Sequence, residues 1–395
     1  MIRSTARLLK SRVRAAARYA IRTGVHPARF QYRILERESL AACCQRYTSE
    51  EQASYRRIHS ESTATNPLPA NCVGRDALPD DPGWWGYSFY DVPRRRSGPT
   101  ELAQLPNCTI VPHVDANKEF WVTVLNQEGK SLLVREMALR APHHRVLRTA
   151  PRRRLDSCVW VLERVYDNYS HWFTAHLPKI ILLREQGLAE EILLPEQRPA
   201  FIDDSLRKTG FSPENFRTFS PDTILEVSRL TLLNTDRFRP ELLQLVPKAM
   251  PSAIAPPHRQ IFISREGASR RRLINEGELW PLLEKKGFER VRMETLSFDE
   301  QVALMQETKT LCAPHGAGLT NMMFCQPGTQ IIEMADLSFP NPNFYAVACA
   351  MSHQYWLVSA EGVGDCHPLE KDMRVDPEAL EAVLNQSASK PKVAQ

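Results

Sequence analysis

The chain has 395 residues, longer than a single hydrophobic core usually supports, so two substantial units are expected. Its 43% hydrophobic and 25% charged residues exclude a disordered or fibrous chain. The net charge of +5 is too mild for a wholesale nucleic-acid binder, and no apolar run approaches the ~18–20 residues that cross a bilayer.

In chain order, residues 1–30 carry Arg3, Arg7, Lys10, Arg12, Arg14, Arg18, Arg22 and Arg29 with no acid, interleaved with Leu8, Leu9, Val13, Tyr19 and Ile21. Three readings stay open: a basic amphipathic segment lying on an anionic membrane surface, a solvated tail, and an Arg-rich transit peptide. The stretch 40–105 is rich in Pro, Gly, Ser and Arg and reads as irregular connection with short elements, so that 1–105 forms a basic N-terminal extension. Thr109-Ile110-Val111 and Cys158–Leu162 read as strands. Between Asn168 and Gly187 the apolar residues Trp172, Phe173, Leu177, Ile180, Ile181 and Leu183 recur at helical spacing. A first α/β unit is expected over 106–246, closed by a proline-marked linker from Pro247 to Pro257.

Beyond the linker the pattern alternates: strand Gln260–Ser264, helix Glu276–Lys286, strand Arg290–Met293, helix Phe298–Glu307, strand Thr310–Ala313, a helix after Gly318, and strand Gln330–Met334. This rhythm predicts βαβ units on a parallel sheet, a Rossmann-like unit over 258–368, with a helix and tail over 369–395. The nine cysteines are odd in number and lack zinc-type spacing, so they read as reduced, packed thiols, consistent with a cytoplasmic protein. No metal site is expected: Asp80-Asp81 and Asp203-Asp204 lack a strand-end context.

In a parallel sheet ligands bind beyond the carboxyl ends of the strands, which directs attention to the segments after Ser264, Ala313 and Met334. After Ala313 comes Pro314-His315-Gly316-Ala317-Gly318-Leu319-Thr320-Asn321, where glycines permit a close backbone approach and a helix start offers free amides to a diphosphate. Ser264 and Arg265, then Arg270, Arg271, Arg272 and Asn275-Glu276, follow the first strand, and arginine suits bidentate phosphate contacts. Taken alone, the glycines fit a mere tight turn, the arginines a solvated run and Asn275 a helix cap. Glu333 ends its strand, where it fits a sugar-hydroxyl acceptor or a loop cap.

These motifs, with Glu300-Gln301, Pro327-Gly328-Thr329 and Ile331-Ile332-Glu333, keep an order and spacing that closely resemble glycosyltransferase family 61. The resemblance implies an α/β fold of GT-B type, in which two Rossmann-like domains face each other across a cleft. It further implies an inverting, metal-independent sugar transfer in polysaccharide biosynthesis from a uridine-linked nucleotide sugar to a glycan or lipid-linked acceptor, with no cofactor and no nucleic acid. It extends more weakly to Asn168-Tyr169-Ser170-His171-Trp172. Many relatives place an acid four residues after that histidine, where this chain has Ala175 beside His176. On this basis Arg265, Arg271, Arg272 and the backbone after His315 are expected to hold the diphosphate, and His171 or Asp167 to serve as base. A nucleotide-dependent oxidoreductase lacks its GxGxxG motif here. A non-catalytic binder that keeps the nucleotide pocket is the remaining alternative.

Overall fold

The computed structural model describes residues 37–389 except 48, 50, 51 and 252–254. The basic segment 1–30, part of the linker and the end of the tail lie outside the described residues. Two sheets organise the rest, and the fold is a mixed α/β one.

The first sheet has seven strands: β1 (Arg37–Ser39), β2 (Ser54–His59), β3 (Thr100–Val114), β4 (Phe120–Leu125), β5 (Ser131–Leu133), β6 (Arg152–Trp160) and β7 (Ile224–Asn234). Their order is β1-β5-β4-β3-β7-β6, with β2 also on β3. The long β3 runs antiparallel to β2, β4 and β7, and only β1–β5 and β6–β7 run parallel. This sheet therefore departs from the parallel layer that a Rossmann-like first unit implies. The short hairpin connections between β3, β4 and β5 are the physical reason, since parallel neighbours need a long crossover.

The second sheet has six strands: β8 (Arg259–Ile263), β9 (Glu289–Val291), β10 (Thr308–Pro314), β11 (Gln330–Asp336), β12 (Gln354–Val363) and β13 (Asp372–Val375), in the order β9-β8-β10-β11-β12-β13. All pairs are parallel except the last. Each expected strand and helix of this half is present within a few residues, except that the segment after Gly316 is a 3₁₀ helix, Ala317–Phe324. Alternate strand residues bury against opposite layers. Phe262, Cys312, Ile332, Met334 and Trp356 pack beneath helices Glu276–Lys285 and Pro377–Ser389, while Ile261, Ile263, Leu311, Ala313 and Ile331 belong to a core shared with the first sheet. Full burial of large rings such as Trp160, Trp172 and Trp356 contributes about 1.5–3 kcal/mol each.

That shared core locks the halves together. Phe173 lies 5.5 Å from Phe298 and 5.3 Å from Phe324, ring centroid to centroid. The stretch expected as irregular extension is integral to both halves. It supplies β1 and β2 to the first sheet, and its later part straps onto the second: Ala70 N donates to Tyr355 O (2.7 Å), Asn71 pairs with the Leu357 backbone, and Tyr87 hydroxyl donates to Asn343 (2.7 Å).

Candidate active site

The strand order reverses between β8 and β10, since the chain moves first to one side of β8 and then to the other. Such a switch point opens a crevice at the carboxyl edge of the sheet. Ser264-Arg265 leaves β8 on one side of it, and His315-Gly316 leaves β10 on the other. The two loops touch. A Cβ at Gly316 would lie 2.1 Å from Arg265 Nη1, so a side chain here would displace the guanidinium that rests on the glycine backbone.

Arg265 in turn donates to the carbonyls of Arg271 (2.9 Å) and Arg270 (2.8 Å), which curls the arginine loop over the strand end. Burial, with Arg271 adding repulsion, pushes its pKa down to about 10. Arg271 adopts φ 54°, in the left-handed region disfavoured for a side chain of this size. Its guanidinium has no ion-pair partner among the described residues, and burial and Arg270 lower its pKa. It lines a recess together with His315, Asp336, Phe339, Asn341 and Lys371.

The other arginines are occupied elsewhere. Arg272 forms a two-pronged pair with Asp372 (2.7 and 3.1 Å) and is exposed, and Arg270 pairs with Glu370 (2.5 Å). Ser264 donates to Glu276 (2.6 Å), and Asn275 clasps both backbone groups of Val375, so these two hold the loops in place rather than face the recess. Glu300 closes a capping box with Ser297, and Gln301 binds the Met293 and Leu296 carbonyls.

His315 Nδ1 lies 2.5 Å from Glu333 Oε1, and Glu333 Oε2 accepts from Tyr355 hydroxyl at 2.7 Å. Glu333 is fully buried with both oxygens engaged. This carboxylate fixes the ring and leaves Nε2 as the nitrogen open to a ligand. Three residues further along the same strand, Asp336 Oδ2 is buried without any partner, while Oδ1 accepts from Ser338. Among the eight residues after Gly316, Leu319, Thr320 and Asn321 are buried, whereas Ala317 and Gly318 are partly exposed. Asn321 Oδ1 accepts from Tyr169 hydroxyl (2.7 Å) of the first half, which docks the helix bearing His171 onto this turn. Tyr169 also reaches Gln301 (3.2 Å).

That helix is interrupted. Tyr169–His171 and Leu177–Glu185 are α-helical, but Trp172–His176 is a π turn. A π turn brings residue i+5, not i+4, over residue i. His176 rather than Ala175 therefore follows His171 by one turn: its ring stacks on Trp172, its Nδ1 donates to His171 O (3.1 Å) and its Nε2 accepts from Glu163 N (3.0 Å). Burial lowers the pKa of both imidazoles well below the ordinary value, with Arg237 adding most to His171. His171 Nδ1 is buried without a partner. Asp167 sits exposed in the preceding turn, where Val165 has φ 57°, an unusual strain for a β-branched residue. His315 is thus held by Glu333 while the His171 ring keeps a free Nδ1, on two elements that touch through Tyr169 and Asn321.

Asp336, Phe339, Asn341, Lys371 and Tyr355 escaped the sequence reading. Asp336 carried a signal, an acid at the end of a buried strand; Lys371 lies beyond the expected domain boundary and carried none. Among the described residues no group of three or more His, Cys, Asp or Glu is placed to hold a metal ion, and no helix is long and apolar enough to cross a membrane.

The Glycosyltransferase 61 family matches residues 169–332. Over 92 residues the chain is 36% identical to the EGF domain-specific O-linked N-acetylglucosamine transferase of Drosophila melanogaster, a match that spans 22% of this chain and 18% of that protein. The matched family region begins at the tyrosine that bridges the halves and runs through both switch-point loops into β11. Residues 169–332 of this chain are thus similar to the Glycosyltransferase 61 family.

Proposed function

We propose that the protein transfers a sugar from a uridine-linked nucleotide donor to a glycan or lipid-linked saccharide in polysaccharide assembly, with inversion and without an essential metal. The observation that carries this reading is Arg271, an unpaired guanidinium that shares a recess with His315 at the switch point of a parallel sheet. Arg271 and Lys371 supply the positive groups for the diphosphate, His315 Nε2 faces it beside them, and Asp336 Oδ2 accepts a hydroxyl of ribose or sugar. His171, kept neutral by burial, takes the proton from the acceptor hydroxyl as that oxygen bonds to the anomeric carbon. The bond from that carbon to the diphosphate breaks on the opposite face, and the nucleoside diphosphate leaves.

A GT-B arrangement belongs to this proposal, supported by a parallel second sheet that meets the first half at Tyr169. Metal independence rests on the family resemblance. The relative's name makes an N-acetylglucosamine donor the first to try. A cytoplasmic setting, with residues 1–30 on an anionic membrane, rests on the sequence alone.

A panel of nucleotide sugars tested by thermal shift identifies the donor, because a ligand at 100 times its Kd stabilises by about 2.7 kcal/mol. Release of free nucleotide over time in excess chelator then separates a transferase from a binder. Failure of every uridine-linked sugar to shift the transition counts against the donor assignment, and activity restored only by manganese overturns metal independence.

A further inference from the structure

Two arginines on the segment after β7 differ in a telling way. Arg239 is 1% exposed and ion-paired: it donates to the carbonyls of Gly98 and Ser60 and pairs with Glu241, leaving only Nε without a partner. Arg237 finds only hydroxyls, with Nε donating to Thr174 (2.8 Å) and Nη2 to Ser170 (3.5 Å). No carboxylate pairs with it among the described residues. Burial, reinforced by Arg135, pushes its pKa down to about 10.

Two more guanidinium groups converge there. Arg95, 8% exposed, donates to Arg237 O (3.1 Å), lies 3.8 Å from Asp236, and rests over the rings of Tyr87 (4.3 Å) and Phe238 (5.6 Å). Arg135 pairs with the same Asp236 at 2.9 Å. Two cations therefore share one carboxylate, and Arg237 beside them feels Glu163 and Glu136 without an ion pair to either. Arg95 Nε, Arg135 Nε and His171 Nδ1 are all buried without a hydrogen-bond partner. Between them Phe238 holds φ 68°, a strained value for a bulky side chain, and carries the Arg237 guanidinium on its ring at 4.7 Å.

Gathering buried cations around too little negative charge is unfavourable unless something else supplies the anion. Ser170 and Thr174, the two hydroxyls on Arg237, flank His171 on its helix, which puts this excess charge beside the base assigned above. The donor recess at Arg271 already has its own cations on the other sheet. We propose that Arg95, Arg135 and Arg237 form an acceptor-side subsite for an anionic group, so that the protein takes an acceptor bearing a carboxylate or phosphate close to the hydroxyl that reacts. The inference deepens the transferase reading and rests on it for the word acceptor. A planar fork of guanidinium donors matches either anion, and the two sources are a uronic acid within a glycan and the phosphate of a lipid-linked sugar.

The test is calorimetric titration of the full chain with glucuronate, glucose 1-phosphate and neutral glucose at equal ionic strength, with UDP titrated in parallel. At least one anionic sugar is expected to bind about tenfold or more tighter than glucose, the gain typical of charge-assisted contacts; whichever it is names the carboxylate or the phosphate. Arg237→Met removes that advantage, Arg237→Lys keeps part of it, and Arg271→Met leaves it intact while weakening UDP. The proposal is overturned if neither anion outbinds glucose, if the advantage survives in Arg237→Met, or if Arg271→Met alone abolishes it, which would place the anion in the donor recess. Should Arg237→Met not fold, Arg135→Gln decides, because its side chain is 33% exposed: a lost advantage supports the subsite and an unchanged one overturns it. Absence of UDP binding in the native chain would sink the transferase reading without touching the glucuronate arms.

Discussion

The two halves assemble their positive charge by different routes. Around β8 and β10, Arg265, Arg271 and His315 come from loops that leave adjacent parallel strands, so a short stretch of sequence already contains the arrangement. In the first half Arg95, Arg135 and Arg237 come from three segments far apart in the chain. They meet because Arg95 and Arg135 both approach Asp236 and because Arg237 reaches back to the helix of His171. A parallel sheet gathers chemistry at one edge by its topology, whereas a mixed sheet gathers it only through side-chain contacts. A cation cluster of the second kind is therefore invisible to motif reading.

The contrast is sharpest in acid. His143 and His353 are lowered to about 4 and His171 and His176 lie well below their ordinary value, in each case chiefly through burial. Unfolded imidazoles take up protons near ~6.5. The unfolded state then binds more protons below that pH, so stability is complete above about 6.5 and falls as the pH drops toward 4, by up to about 1.4 kcal/mol per pH unit for each ring. Three of these rings are in the first half, and hydrogen exchange between pH 7 and 4.5 should show that half losing protection first. Equal loss in both halves would break the distinction.

Each half also has a carboxylate, 3% exposed or less, held against a cationic or imidazole partner: Glu163 with Lys179, and Glu333 with His315. Glu163→Ala and Glu333→Ala should each cost about 3–5 kcal/mol by denaturant unfolding, since one buried partner is left alone. Only the second is expected to weaken UDP binding as well, because it frees the ring that lines the recess. If Glu163→Ala weakens UDP equally, the donor site is not confined to the second sheet.

A smaller effect separates the arginines of a single loop. Arg271→Gly should weaken UDP by about 1.5–3 kcal/mol, as expected for a lost charge-assisted bond. The unfolding midpoint should hold or rise, because glycine accepts the positive φ without strain. Arg272→Ala should leave UDP affinity unchanged, since its guanidinium is turned to Asp372. Equal losses in the two variants would show that both guanidinium groups reach the nucleotide.

The sequence by itself determined the second half in detail. Strand and helix periods placed β8 to β11, the glycines placed the turn after His315, and the motif order pointed to the family region later matched over 169–332. These are local signals, because a βαβ unit encodes its own connection and its ligand edge. Only the tertiary structure decided which charges are free. Arg271 and Arg272 are neighbours in sequence, yet one lines the recess and the other meets Asp372, a hundred residues away. The π turn set His176, not the position of Ala175, against the His171 carbonyl. Stretch 40–105, without clear periodicity, became strands and straps because its hydrogen-bond partners lie in distant segments of both sheets. Whether a polar group is spent on the fold or left for a ligand depends on long-range partners, and no local pattern records them.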